Sequence, residues 1–269
     1  MTSPERATSV IRPVFDIAEW RAYQNAEFIP TRDKLMTVAS LANGAARMPA
    51  HVDLARFYLA RGMYVEAKGI LDLALAEVKP GEEDSSALTV HAVASTLAGR
   101  SELALADLGN PAVAVNIDSQ LWKALALGRL RKWADAREKF KNVEFAITAL
   151  PVDLQRIVVA EAFRASLEVR DYPGAAGRSN DLEVLGAGSE LAASVAVLRG
   201  RLAEALGRDQ DALAAYAVHI SNPWPEFFMI RIFGSSMFFA AALMHLAILS
   251  LVCTAEMRNA MLGGKREFA

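Results

Sequence analysis

The chain has 269 residues, 53% of them hydrophobic and 22% charged, with a net charge of −2. That balance excludes a disordered chain, and the missing basic excess argues against a general nucleic-acid binder. A single cysteine, Cys253, excludes an intramolecular disulfide framework, a CxxC redox pair and a zinc ribbon.

Residues 1–26 read as a tail followed by a docking segment. Met1 to Val14 carries Arg6 and Arg12 but no apolar core, so it is not a signal peptide. Val14 to Tyr23 (VFDIAEWRAY) brings Phe15, Ile17, Ala18 and Trp20 together as a short extended or helical docking element. Glu27 to Leu41 is expected to be a helix, broken by Asn43, Gly44 and Pro49.

From there one pattern recurs. The clearest copy is Leu54 to Pro80, in which a tight turn is followed by an alanine. Equivalent small residues are Ala67, Ala104, Ala136, Ala175 and Ala212, spaced by 37, 32, 39 and 37 residues. Small residues at helix crossings let backbones approach within about 8–10 Å. A period near 34 residues with small insertions marks helix-turn-helix repeats. In the first copy Leu54, Ala55, Tyr58, Gly62, Tyr64, Ala67, Leu71 and Ala74 occupy the large, small, aromatic and turn places. The third copy follows through Ala124, Leu127, Trp133, Ala136 and Phe140, with Lys123 at a large apolar place and Arg131 for the turn glycine. The fifth follows through Gly200, Ala203, Gly207, Ala212 and Tyr216. The second copy has Ala92, Gly99, Ala104 and Leu108, but Pro111 shortens its second helix. The fourth keeps Tyr172 and Ala175, with Pro173 and Gly174 opening its second helix and Ser179 in place of a large apolar residue.

These residues resemble the tetratricopeptide-repeat pattern over roughly 170 residues. The resemblance implies an all-α, right-handed superhelical solenoid of about five helix pairs within residues 27–221. It also implies that the first helix of each pair lines an inner groove, with Arg56, Arg129, Arg164 and Arg201 on or near it. Arginine forks of this kind suit carboxylates, so an acidic peptide or a C-terminal carboxylate is the implied partner. The alternative for the same residues is a set of arginines paired with nearby Glu168 and Glu204. An irregular helical bundle is the alternative for the fold.

Residues 222–269 differ in composition. Six of twelve phenylalanines and five of nine methionines lie beyond Pro225, and Ile232 to Cys253 holds no formally charged side chain. About 20 apolar residues suffice to span a bilayer. The expectation is a single-pass membrane segment over 232–253, with the repeat domain in the cytoplasm. A helix capping the solenoid is the rival, and a tail foreign to the repeat pattern, from a frameshift or fusion, is a third reading.

No catalytic or metal constellation is found among the four histidines, so neither an enzyme nor a cofactor is expected. His91 falls on a repeat seam, where a satisfied interface histidine is the expectation. His245 and Cys253 lie within the apolar run. Gly186-Ala187-Gly188-Ser189 lacks the P-loop lysine and reads as a connector. The run Arg129 to Lys141 reads as a solvated helix face. The function expected is a scaffold or adaptor that binds a protein or peptide; the alternative is a structural subunit of a larger assembly.

Overall fold

The computed structural model describes residues 14–79, 81–114 and 117–220. The chain divides into residues 1–219 and 220–269, and the second unit lies outside the described residues but for Ile220. Every regular element among the described residues is helical. The helices are α1 (Ile17–Asn25), α2 (Phe28–Leu41), α3 (Arg47–Ala60), α4 (Tyr64–Leu75), α5 (Ser85–Leu97), α6 (Ser101–Gly109) and α7 (Ile117–Arg129). They continue as α8 (Trp133–Asn142), α9 (Glu144–Ile147), α10 (Val152–Glu168), α11 (Tyr172–Leu185), α12 (Gly188–Ala205) and α13 (Asp209–Ile220).

Five helix pairs arise from one local device. The pairs are α3/α4, α5/α6, α7/α8, α10/α11 and α12/α13, and each is joined by a turn whose middle residue has a positive φ. Those residues are Gly62, Gly99, Arg131, Arg170 and Gly207, with φ between 60° and 79°. In the first turn Gly62 N–H donates to Leu59 O (3.0 Å) and Met63 N–H to Tyr58 O (2.9 Å). The same two bonds recur in the other four turns, from Gly99 and Arg100, Arg131 and Lys132, Arg170 and Asp171, and Gly207 and Arg208. This is a Schellman closure, which satisfies carbonyls that the helix end would leave orphaned. Five residues after each left-handed residue stands the buried alanine of the second helix: Ala67, Ala104, Ala136, Ala175 and Ala212. The repeat is therefore a backbone repeat, and its turn tolerates a residue other than glycine.

Arg131 and Arg170 carry strain that the three glycines do not. Left-handed backbone costs an L-residue about 1–2 kcal/mol, whereas adding glycine freedom to the unfolded chain costs about 0.4–1 kcal/mol. Both arginines are exposed. Arg131→Gly and Arg170→Gly are each expected to stabilise the protein by roughly 0.5–1 kcal/mol, read as a higher urea midpoint at unchanged slope. A lower midpoint would mean that the arginine side chains make contacts worth more than the strain.

The pairs stack in order. Each second helix packs on the next first helix, in the contacts α4–α5, α6–α7, α8–α10 and α11–α12, and first helices pack on one another from α3 to α12. The uneven spacing has local causes. The second pair is short because α6 ends at Gly109, just before Pro111. The fourth pair is delayed by α9, whose surroundings bury Val143, Ala146, Ile147 and Leu150. Leu54 and Tyr58 are core residues, and Trp133 packs partly buried against the core. In the fifth pair, Gly200 lets the Tyr216 ring lie so close that any Cβ at position 200 would collide with it. The fourth pair exchanges the sizes at these two places: Phe163 stands buried where Gly200 stands, and Ser179 where Tyr216 stands.

The expected single-pass membrane localisation is corrected. No helix among the described residues is long and apolar enough to cross a membrane. The longest, α12, has 18 residues but carries Glu190, Arg199, Arg201 and Glu204, which hydrocarbon would not accept unpaired. The apolar run 232–253, with His245 and Cys253, lies outside the described residues, as does Pro80. Neither the membrane role nor the cytoplasmic placement tied to it is carried forward.

Candidate binding face

The first helices α3, α5, α7, α10 and α12 share one face, and the candidate site lies on it. Segment 14–26 rests there. Asp16 caps α1 by accepting from Glu19 N–H at 2.8 Å. The helix then lies on α3, and the segment reaches α7 through Phe15 and α10 through Gln24. Phe15 meets Trp20 edge-on at 5.7 Å between centroids and Trp122 of α7 at 5.8 Å, and all three rings are buried. Tyr23 stands edge-on to Phe57 of α3 at 5.7 Å. Gln24 Nε2 donates to Asp153 Oδ2 at the start of α10 over 2.6 Å. Arg61, in the first turn, donates from Nε to Tyr23 O at 2.7 Å and from Nη2 to Ala26 O, so its fork takes carbonyls at the end of α1. Burial, then the Glu19 and Asp53 carboxylates, push the Tyr23 hydroxyl well above its ordinary value. Tyr64, which opens α4, is also pushed up, by burial and then by Glu190, with Arg129 opposing and Asp153 adding. Its hydroxyl thus feels charges on α7, α10 and α12.

The four predicted arginines lie on first helices, and each reaches a residue of a neighbouring first helix. Arg56 is buried; its Nη1 donates to Asp53 Oδ1 and its Nη2 to Ser86 Oγ, each at 3.1 Å. Arg164 repeats that reach one helix pair at a time: its Nη2 donates to Ser194 Oγ at 3.2 Å, thirty residues on, as Arg56 does to Ser86. Arg129 and Arg164 flank buried Glu161, with Arg129 Nε at 3.4 Å and Arg164 Nη1 at 3.9 Å from Oε2. Glu161 leans on Gly128, where a Cβ would meet its Cγ at 2.8 Å. Arg201 Nη1 donates to Glu168 Oε1 at 2.9 Å. The guanidiniums are therefore engaged by the chain's own carboxylates and hydroxyls, and they do not converge on one open position.

Polar residues at the seams are matched across helices. His91 Nδ1 lies 2.8 Å from Asp107 Oδ2 and its Nε2 lies 2.9 Å from Asp72 Oδ1, so one buried imidazole joins α4, α5 and α6. Arg199 donates to Ser179 Oγ and to Ser179 O, both at 3.3 Å. The connector Gly186–Gly188 has positive φ at both glycines, and Arg156 donates to Leu185 O and Gly186 O beside it. Among the described residues no group of three or more His, Cys, Asp or Glu side chains is placed to hold a metal ion.

The sequence pattern alone does not single out Trp122, Arg61, Gln24 or Asp153. Trp122 could have been found from its place two residues before Ala124, on the side of α7 away from the pair's own crossing. The others act through contacts far apart in the chain and leave no local signal. Comparison with known proteins finds no matching family model, curated protein or solved structure.

Proposed function

We propose that this chain is a non-catalytic scaffold of the tetratricopeptide-repeat type, a right-handed superhelical array whose first-helix face binds a segment of another protein. One observation carries the reading: a short segment, residues 14–26, already lies across α3, α7 and α10 through aromatic rings, a side-chain amide and a guanidinium fork. A surface that holds one helix this way has the pockets and donors to hold another. The recurrent turn and its alanine support the assignment of repeat type, since stacked pairs build an extended surface from parts too small to fold singly. Arg164 on α10 and Arg201 on α12 would supply donors to a bound segment by exchanging their present partners Ser194 and Glu168.

The rival is a structural subunit that docks through its second helices. A photoreactive residue placed at position 197 on α12, or at exposed Val184 on α11, separates the two. Adducts with another protein are expected from position 197, and they should disappear in an Arg164→Ala, Arg201→Ala chain of unchanged helical content. Adducts from position 184 alone would favour the structural subunit and remove the binding role of the first-helix face.

A further inference from the structure

Segment 14–26 sits on the first-helix face as a bound helix would, not as part of the repeat array. Its exit through Ala26 is extended (φ −66°, ψ 152°), without the left-handed turn that joins the five pairs. It reaches first helices of the first, third and fourth pairs, whereas the repeats touch their neighbours. Trp20 and Tyr23 stand three residues apart on α1, an interval used by helices that lay one face in a groove, and Phe15 adds a third ring from just before the Asp16 cap.

The segment is also built to leave. A helix of nine residues is too short to persist alone, since isolated helices below about 12–15 residues are marginal in water. The buried Trp20 Nε1 has no hydrogen-bond partner among the described residues. A buried donor without an acceptor opposes docking. Another helix with a better-matched donor would not bear that cost.

We propose that the first-helix face binds, in trans, a short helix carrying aromatic side chains along one face, and that residues 14–26 are its internal competitor. The proposal rests on the reading of this face as a protein-binding surface. The partner's rings would take the places of Phe15 against Trp122 and of Trp20 beside it, and its last carbonyls would take those of Tyr23 and Ala26 at Arg61. When a competent state is only fractionally populated, apparent affinity falls by that fraction, so the intact chain binds weakly until its own segment withdraws.

The probe is a fluorescein-labelled synthetic peptide of residues 14–26, titrated by anisotropy into full-length wild type and into a Phe15→Ala, Trp20→Ala chain. The variant is expected to bind roughly tenfold or more tightly than wild type, and adding Trp122→Ala should abolish the gain. If the double variant does not fold, Asp16→Ala, Gln24→Ala keeps both rings while removing the cap and the tie to Asp153. Loss of the cap alone predicts a gain of about fivefold. Equal binding by wild type and folded variant would overturn the internal competition but leave the face as a protein-binding surface. Binding by neither folded variant would overturn the inference, and the adducts at position 197 would then decide the broader reading on their own. A wild-type dimer dissociated by the peptide would place the segment on a second copy's face and also overturn competition within one chain.

Discussion

Phe163→Ala is expected to destabilise the protein by about 3–5 kcal/mol, the range for deleting a fully buried aromatic ring. Phe163 is completely buried, and it fills a place that is small in the other four pairs, where Ala55, Ala92, Ala124 and Gly200 stand. In the fifth pair the ring at this crossing comes instead from the second helix, as Tyr216 over Gly200. Moving the ring back across the crossing, with Phe163→Ala and Ser179→Phe together, is therefore expected to recover part of the loss. Recovery will be incomplete, because Arg199 loses the Ser179 hydroxyl as a partner. Urea unfolding of the two single variants and the double supplies the cycle, and the coupling should lie within about 0.5–3 kcal/mol in favour of the double. Strict additivity would show that the two positions do not share one packing site.

Removing His91 has the second-largest expected effect and a pH signature. Burial by itself would depress the imidazole, but the hydrogen bond and charge of Asp107, followed by those of Asp72, outweigh it and raise its pKa above 6.5. For Asp72, burial pushes upward, but hydrogen bonds from Lys68 and His91 hold it below 3.8. A raised histidine contributes stability fully below its unfolded value and loses it as pH rises through the folded value. A depressed aspartate contributes above its unfolded value and loses it as pH falls through the folded one. The bridge therefore works best between the two ordinary values, where His91 is charged between two carboxylates. His91→Ala is expected to cost about 1–3 kcal/mol there, chiefly because Asp107, mostly buried, loses its imidazole donor, while Asp72 keeps Lys68. Thermal melts of wild type and variant from pH 4 upward test this. Their separation should be widest in mildly acidic solution and should narrow as pH rises beyond 6.5 through the raised value. A separation independent of pH would mean that shape, not charge, is what His91 supplies to the seam.

The helix pairs were legible because alanine at a helix crossing is a local, recurring requirement of close approach. The fourth pair was harder to read: its ring had crossed from Ser179 to Phe163, and its turn residue was Arg170, which composition does not distinguish from any surface arginine. The four-residue helix α9 and Pro111 account for the uneven spacing, one by insertion and one by truncation. Within the candidate site the residue types could be read but few of their partners. Phe15, Ile17, Ala18 and Trp20 announced a docking segment, extended or helical, yet nothing near them in sequence pointed to Trp122 or Asp153. The arginines on the first helices were similarly visible as donors. Glu168 was legible as a neighbouring carboxylate and takes Arg201 across helices; Glu161, which takes Arg129 from α7, was not, because that pairing depends on how neighbouring pairs are phased.

The bond from Gln24 to Asp153 joins residues 129 positions apart. A stack of pairs that touch only their neighbours behaves as a linear array and frays from its ends, one unit at a time. By tying the first pair to the third and fourth, α1 closes part of that array into a loop. Opening any pair inside the loop must then work against the others, so backbone amides from α3 to α10 should exchange as a single block. When the segment leaves, that block divides, and the same event that exposes the face also loosens the helices that form it.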